Sequence, residues 1–169
     1  MIPIPEVTFK FRVNGEFRDV TTEELFAGKR VVLFSLPGAF TPTCSTFQLP
    51  GFELDYQKFK EAGIDEIYCV SVNDAFVMNA WGKDQNIVNV KLIPDGNGEF
   101  TDGMGMLVQK FNLGFAYRSW RYAAVIDNGN IEWIVEEPGK QDQCTEDPYT
   151  VTTPERVLEY VTSNVVALA

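Results

Sequence analysis

A chain of 169 residues with three cysteines and no histidine has few chemistries open to it. Without an imidazole there is no Ser-His-Asp triad, no Cys-His pair, no His-ligated metal and no imidazole proton shuttle. What remains is cysteine acting as a thiolate. Cys44 stands where that chemistry is expected. The segment Pro37-Gly38-Ala39-Phe40-Thr41-Pro42-Thr43-Cys44 carries it from the end of an apolar run, Val31 to Leu36, to the opening of a helix. Reactive groups and ligands collect at such strand ends in open α/β sheets. The first turn of a helix offers unpaired N–H groups and the positive end of the dipole, which favour the thiolate. A free cysteine is more often a small buried apolar side chain, and this location reverses those odds.

The other two thiols lack such a setting. Cys69 lies in Ile67-Tyr68-Cys69-Val70, a strand pattern in which filling the core is the ordinary role. Cys144 lies in Gln141-Asp142-Gln143-Cys144-Thr145-Glu146-Asp147, a loop whose acids oppose a thiolate. Spacing leaves open whether either thiol can reach Cys44. Thr41 occupies the position three before Cys44, so no CxxC disulfide exists and thiol-disulfide exchange through a local pair is excluded. Two other motifs dissolve on inspection. The loop opening at Asp95 begins like a calcium loop but has Phe100 and Met106 where a Gly and a bidentate Glu are required. Gly103-x-Gly105 lacks the third glycine of a dinucleotide fingerprint. No cofactor and no metal are expected.

Composition narrows the partners. Lys and Arg number 14 against 24 Asp and Glu, and the net charge of −10 repels nucleic acid and anionic lipid. Met1 to Pro5 carries neither a basic nor an apolar leader segment, and no window approaches the roughly 20 apolar residues of a membrane span. Three cysteines are too few for a disulfide scaffold. The reading is a reduced, soluble, cytoplasmic protein with residues 1–169 as a single domain.

The elements that must position Cys44 can be followed along the chain. Alternating apolar residues from Val7 to Val13, Asn14-Gly15, and Phe17 to Val20 predict an N-terminal β-hairpin. Thr21 with Glu24 is a capping box for a short helix through Phe26. The helix opening near Cys44 is expected to break at Pro50-Gly51 and resume from Glu53 to Ala62. Glu66 to Val72 and Val90 to Ile93 read as strands around a helix from Ala75 to Gln85. Trp120 to Ile126 and Ile131 to Val135 form a hairpin about Asp127-Asn128-Gly129-Asn130, and Thr153 with Pro154 opens a final helix. Strands joined by helices on this pattern predict an α/β fold, a central mixed sheet with helices on both faces, compatible with the thioredoxin-like fold.

Pro-x-x-x-Thr-x-x-Cys, present as Pro37, Thr41 and Cys44, resembles the active-site motif of the peroxiredoxins. The longer string from Pro37 to Ser45 is similar to the atypical peroxiredoxin 5 subfamily, which includes plant and bacterial type II enzymes. The resemblance continues through Leu33-Phe34-Ser35, Ser71-Val72-Asn73-Asp74, Trp81-Gly82, Pro94-Asp95-Gly96 and Arg118-Ser119-Trp120-Arg121-Tyr122. One position departs from it: close relatives often carry His four residues after the reactive cysteine, and this chain has Gln48.

The resemblance implies a thiol-dependent peroxidase in antioxidant defence. In it Cys44 reduces hydrogen peroxide or an alkyl hydroperoxide, becoming a sulfenic acid that a thiol later removes. It implies catalytic roles for Pro37, Thr41, Cys44 and Arg121. Thr41 is near enough for its hydroxyl to bond thiolate or peroxide, and Pro37 and Pro42 restrict and shield the backbone. Arg121 matches the family's arginine, which holds both thiolate and peroxide oxygens. Arg118, on the other parity of a strand, reads as a solvated surface charge. Some type II relatives have a cysteine at the position of Cys69 that has been proposed to resolve the reaction. Without an obvious partner in Cys69 or Cys144, the reductant is expected to be glutathione with glutaredoxin, or else thioredoxin. A homodimer is expected, with Ala75 to Trp81 offering apolar contact beside the site. The competing readings are a non-catalytic redox sensor or chaperone-like binder, and a thioredoxin-like reductase that the missing CxxC disfavours.

Overall fold

A computed structural model describes residues 2–168, with side chains described for residues 2–163. Ile2–Pro3 forms a two-residue strand, β1. The hairpin expected from the sequence pairs β2 (Thr8–Val13) with β3 (Glu16–Thr21). Asn14 and Gly15 between them both take positive φ, 53° and 79°, the mirror-image turn whose twist suits antiparallel strands. Helix α1 (Thr22–Phe26) opens on Thr21, whose hydroxyl accepts from the Glu24 N–H at 3.2 Å.

The remaining elements build one sheet. Its strands are β4 (Arg30–Ser35), β5 (Glu66–Ser71), β6 (Lys91–Pro94), β9 (Tyr122–Asp127) and β10 (Asn130–Glu136), in the order β1-β10-β9-β4-β5-β6. β4, β5 and β6 run parallel, while β9 and β10 return antiparallel. β7 (Leu107–Gln109) and β8 (Tyr117–Ser119) form a separate ribbon. This is a mixed α/β sheet of thioredoxin-like type.

Alternation along β4 divides the core. Val32 and Phe34 face a cluster closed by α2 (Leu49–Leu54), α3 (Tyr56–Glu61), α4 (Ala75–Asp84) and α6 (Pro154–Leu168). Val31 and Leu33 face a second cluster beneath α1, the hairpin and α5 (Glu99–Gly103). Helices therefore cover both faces, and Thr153 caps α6 by accepting from the Arg156 N–H at 3.2 Å.

Two expectations need correction. The chain does not break at Pro50-Gly51. Cys44–Gln48 instead forms a π-helical turn, with the Leu49 N–H bonded to the Cys44 carbonyl, and α2 runs through Pro50 and Gly51 to a break at Asp55. The wider turn sits directly before Pro50, which has no N–H to give the ladder and is tolerated at the opening of α2. The second correction concerns Trp120 and Arg121, which precede β9 rather than belonging to it. The Trp120 N–H turns to the Met106 carbonyl at 2.7 Å, and the Arg121 carbonyl accepts from the Glu137 N–H at 3.0 Å. Among the described residues, no helix is long and apolar enough to cross a membrane.

Candidate active site

Cys44 lies in the first turn of the helical run that begins at Pro42, at the C-terminal end of β4, and its side chain is fully buried. The first ladder bond behind it is Ser45 N–H to the Thr41 carbonyl, 2.9 Å. The loop from Pro37 is folded tightly. Phe40 takes a positive φ of 65°, which costs an L-residue conformational energy and is held by neighbouring contacts. Asn73 supplies one of them: its Oδ1 accepts from the Ala39 N–H at 3.0 Å and from Ser71 Oγ at 2.5 Å, tying the loop to the end of β5. Trp81, fully buried on α4, donates from Nε1 to Ser45 Oγ at 2.9 Å and pins the turn that carries Cys44.

Arg121 reaches this turn from just before β9, the strand paired beside β4. Its guanidinium is 1 % exposed and Nη1 stands 3.5 Å from Cys44 Sγ. The same Nη1 donates to Gln48 Oε1, Nη2 donates to Asp147 Oδ1 at 2.6 Å, and Nε donates to the Pro148 carbonyl at 3.2 Å. Burial would lower the pKa of Arg121, but the charges of Cys44 and Asp147 outweigh it and hold the guanidinium above its ordinary value. A fixed cation against a sulfur at a helix N-terminus can stabilise both a thiolate and negative charge developing on oxygen.

Thr41 shares the loop, but its hydroxyl proton is committed elsewhere: Oγ1 donates to the Gly38 carbonyl at 2.7 Å. Its lone pairs remain to accept from an O–H, so it is placed to accept a hydrogen bond from a peroxide rather than to donate to sulfur. The Pro37 carbonyl is taken by Arg118 Nη1 at 3.1 Å, and Arg118 Nε donates to Phe115 O at 3.2 Å. Arg118 is thus half-buried at the edge of the loop, not a solvated surface charge. The parity argument fails because β8 ends at Ser119 and the irregular Trp120-Arg121 step intervenes before β9. Gly38 makes room for this arrangement: a Cβ there would fall 2.3 Å from Arg118 Nη1.

The other thiols are set apart. Cys69 is buried in the Cys44 cluster, and burial first, then the charge of Cys44, pushes its pKa well above the ordinary thiol value. Cys144 is also buried, but in the cluster on the opposite face of the sheet from Cys44. Its loop placement is as expected, although two of its three flanking acids are engaged elsewhere: Asp142 accepts from the Gln109 N–H and Asp147 pairs with Arg121. Among the described residues no group of His, Cys, Asp or Glu is arranged to hold a metal ion.

Sequence reasoning did not find the strap behind Arg121. Glu137, fully buried after β10, accepts five hydrogen bonds, from the N–H and hydroxyl of Thr150, the N–H of Val151, and the N–H and hydroxyl of Thr152. This fastens the segment whose Asp147 and Pro148 seat Arg121. Burial raises the carboxyl pKa, but the bonds led by that from Thr152 outweigh it and the net shift is downward. A lowered folded-state pKa means stability that is present above the unfolded carboxylate range and lost as pH falls through the folded value. Glu137→Gln is therefore expected to destabilise the protein by on the order of 2 kcal/mol at neutral pH in chemical denaturation. The difference from wild type should shrink as the solution is acidified below the carboxylate range.

The chain matches the redoxin family over residues 3–151. It is 62% identical to a peroxiredoxin of Rhizobium etli, with 92% of each chain covered, and 39% identical to Peroxiredoxin-2D of Arabidopsis thaliana, with 94% of each covered. Among solved structures it is similar to a 1-Cys peroxiredoxin of Plasmodium falciparum, with TM-score 0.91, 42% identity and coverage of 96% of this chain and 97% of that one. It is likewise similar to reduced Prx3 of Vibrio vulnificus in complex with H2O2, with TM-score 0.87, 38% identity and coverage of 96% and 95%. The chain belongs to the redoxin family and, within it, to the type II or peroxiredoxin 5-like peroxiredoxins, which are thiol-dependent peroxidases.

Proposed function

We propose that Cys44 is the peroxidatic residue, reducing hydrogen peroxide and alkyl hydroperoxides, with Thr41, Arg121 and the Pro37 loop as the rest of the catalytic set and residues 1–169 acting as one domain. The observation that carries the reading is the fixed Arg121 guanidinium 3.5 Å from a helix-terminal sulfur. The thiolate attacks one peroxide oxygen as the O–O bond breaks. The sulfur keeps that oxygen as sulfenic acid, and the departing oxygen leaves with the bonding pair as alkoxide or hydroxide, which water protonates. Thr41 Oγ1 accepts a hydrogen bond from the O–H of the bound peroxide, whose proton stays on the oxygen that becomes the sulfenic acid, while Arg121 faces the developing charge. Stopped-flow mixing with peroxide and a thiol tests it. Repeated turnover supports a peroxidase; a single slow oxidation without recycling supports the redox-sensor alternative. Thr41→Val, which loses both the acceptor and the bond to Gly38, is expected to slow the peroxide step by on the order of a hundredfold with the fold retained.

For the second half of the cycle we infer direct attack by an external thiol, glutathione with glutaredoxin before thioredoxin. One thiol converts the sulfenic acid to a mixed disulfide and water, and a second releases Cys44. The burial of Cys69, which keeps it a thiol, and the placement of Cys144 across the sheet favour this route. A Cys44–Cys69 disulfide is the second reading, because the two share one cluster and Cys69 feels the charge of Cys44. Mass spectrometry after one equivalent of peroxide separates them: glutathione on Cys44, unaffected by Cys69→Ser, supports the external thiol, and a rapid Cys44–Cys69 bond overturns it.

A cytoplasmic homodimer completes the proposal. Ala75, Met78 and Trp81 turn into the core, so of the large apolar side chains of the expected helical surface Phe76 is the exposed one, and it packs on Phe17 and Arg12. Phe40 and Phe47, on either side of Cys44 in sequence, are 51% and 59% exposed and supply the apolar contact instead. Sedimentation is expected to show a dimer that Phe47→Glu weakens; monomer at every concentration in both redox states would remove it.

A further inference from the structure

Two cations flank the Pro37 loop that leads to Cys44, and among the described residues no carboxylate forms an ion pair with either. Lys110, at the end of β7, is 3% exposed, and among the described residues no Asp or Glu forms an ion pair with it. Its ammonium lies 5.7 Å from the centre of the Trp120 ring. Its backbone is pinned on both sides, N–H to the Ala116 carbonyl at 2.6 Å and carbonyl from the Phe115 N–H at 3.0 Å. In the β7–β8 ribbon Val108 is the partner of Arg118. Lys110 follows β7 directly, and both cations meet the Pro37 loop: Lys110 lines a slot with Pro37, and Arg118 donates to the Pro37 carbonyl.

Arg118 donates only to backbone carbonyls, those of Phe115 and Pro37, and lies 4.8 Å from the centre of the Phe115 ring, which leaves its Nη2 amino group without a hydrogen-bond acceptor among the described residues. It lies close enough to feel the charge of Cys44. Lys110 lines a narrow slot together with Pro37, Trp120, Arg121, Asp147 and Pro148, and Asp147, the carboxylate of that slot, is already held by Arg121 at 2.6 Å. A lysine this little exposed, with no carboxylate ion-paired to it among the described residues, is unusual in a chain of 24 acidic residues.

We infer that Lys110 and Arg118 form a subsite for the carboxylate of an organic molecule that reacts at Cys44. This rests on the reading of Cys44 as the reacting thiol. The carboxylate could belong to the reducing thiol or to the hydroperoxide, and the recognition chemistry is the same. Arg118 offers a planar amino group and Lys110 a point charge, at the edge of the loop that holds the sulfur.

Alkylation of Cys44 tests the subsite without requiring turnover. The rates with iodoacetate, an anion, and iodoacetamide, its neutral analogue, are read on the Cys44 peptide by mass spectrometry. Lys110→Met is expected to lower the iodoacetate-to-iodoacetamide ratio about tenfold at low salt, the factor of one charge-assisted contact. Lys110→Arg should keep the wild-type ratio, and high salt should shrink the wild-type preference. Lys110→Gln, which keeps a polar tip, repeats the test if the methionine variant does not fold.

Turnover then assigns the source. 3-Mercaptopropionate is compared with 2-mercaptoethanol, and a carboxylated hydroperoxide with tert-butyl hydroperoxide. A charge preference lost with Lys110 in the thiol pair places the carboxylate on the reductant, and one lost in the hydroperoxide pair places it on the substrate. An alkylation ratio unchanged in both neutral variants overturns the subsite. Wild-type protein that alkylates with the charge preference but never turns over would instead overturn the peroxidase role of Cys44 and leave the subsite standing.

Discussion

Cys44→Ser is expected to bring peroxide consumption down to the uncatalysed background in the presence of any thiol. The reaction requires an anion that attacks oxygen and then keeps it, and a serine hydroxyl at this position is neither ionised near neutral pH nor able to form a sulfenic acid. The helix terminus and Arg121 do not rescue it, because they stabilise an anion only where one is accessible. The fold should survive. Oxygen for sulfur is a small change in volume, and Arg121 Nη1, which faces Sγ at 3.5 Å, can face a hydroxyl oxygen as well. The buried hydroxyl also has Arg121 within reach as a donor, so its burial costs at most about 1–3 kcal/mol. Peroxide electrodes or a coupled thiol assay measure the first expectation and thermal unfolding the second. Retained turnover in a folded Cys44→Ser protein would move the chemistry to Cys69 or Cys144, both buried without a guanidinium hydrogen-bonded to the sulfur.

What the sequence makes legible here is local. The turn at Asn14-Gly15, the capping Thr21 and Thr153, the apolar run of β4 and the delivery of Cys44 to a helix start all depend on residues within a few positions of one another. The partners of Cys44 do not. Arg121 is 77 positions away and comes within reach only because β9 lies antiparallel beside β4. Without the resemblance to a known motif, nothing in its flanking residues singled it out from Arg118.

The same limit explains the misreadings. Pro50 looked like a break because a proline interrupts an ordinary α-helical ladder, whereas the π-helical turn before it had already shifted the hydrogen-bond pattern. Arg118 looked solvated because strand parity was carried through Trp120 and Arg121, where the strand is in fact interrupted. Asp147 was visible only as an acid near Cys144, and its real partner, Arg121, is 26 positions upstream. Glu137 gave no signal at all, since a lone Glu in an acidic chain is ordinarily a surface charge; its five donors lie 13 to 15 positions away on a loop whose path the sequence does not encode locally.

Arg121→Ala is expected to slow reaction of Cys44 with peroxide by on the order of a hundredfold or more, the cost of one preorganised donor aimed at developing charge. Two contributions are separable. Removing a fixed cation beside Sγ takes away attraction for the attacking anion, a loss that raising the pH can offset. Removing the donor also takes away stabilisation of the departing oxygen, which no increase in pH restores. If ionisation were the whole effect, the rate would recover to the wild-type value once Cys44 is fully ionised; the geometry predicts that a deficit persists there. Arg121→Lys sharpens the distinction. A lysine returns the charge, and with it much of the thiolate, but a single ammonium cannot meet Sγ, Gln48, Asp147 and the Pro148 carbonyl at once as the guanidinium does. Its rate should therefore stay well below wild type even where raising the pH brings no further gain. Wild-type rate in Arg121→Ala at every pH would mean that the guanidinium seats the strap and takes no part in the chemistry.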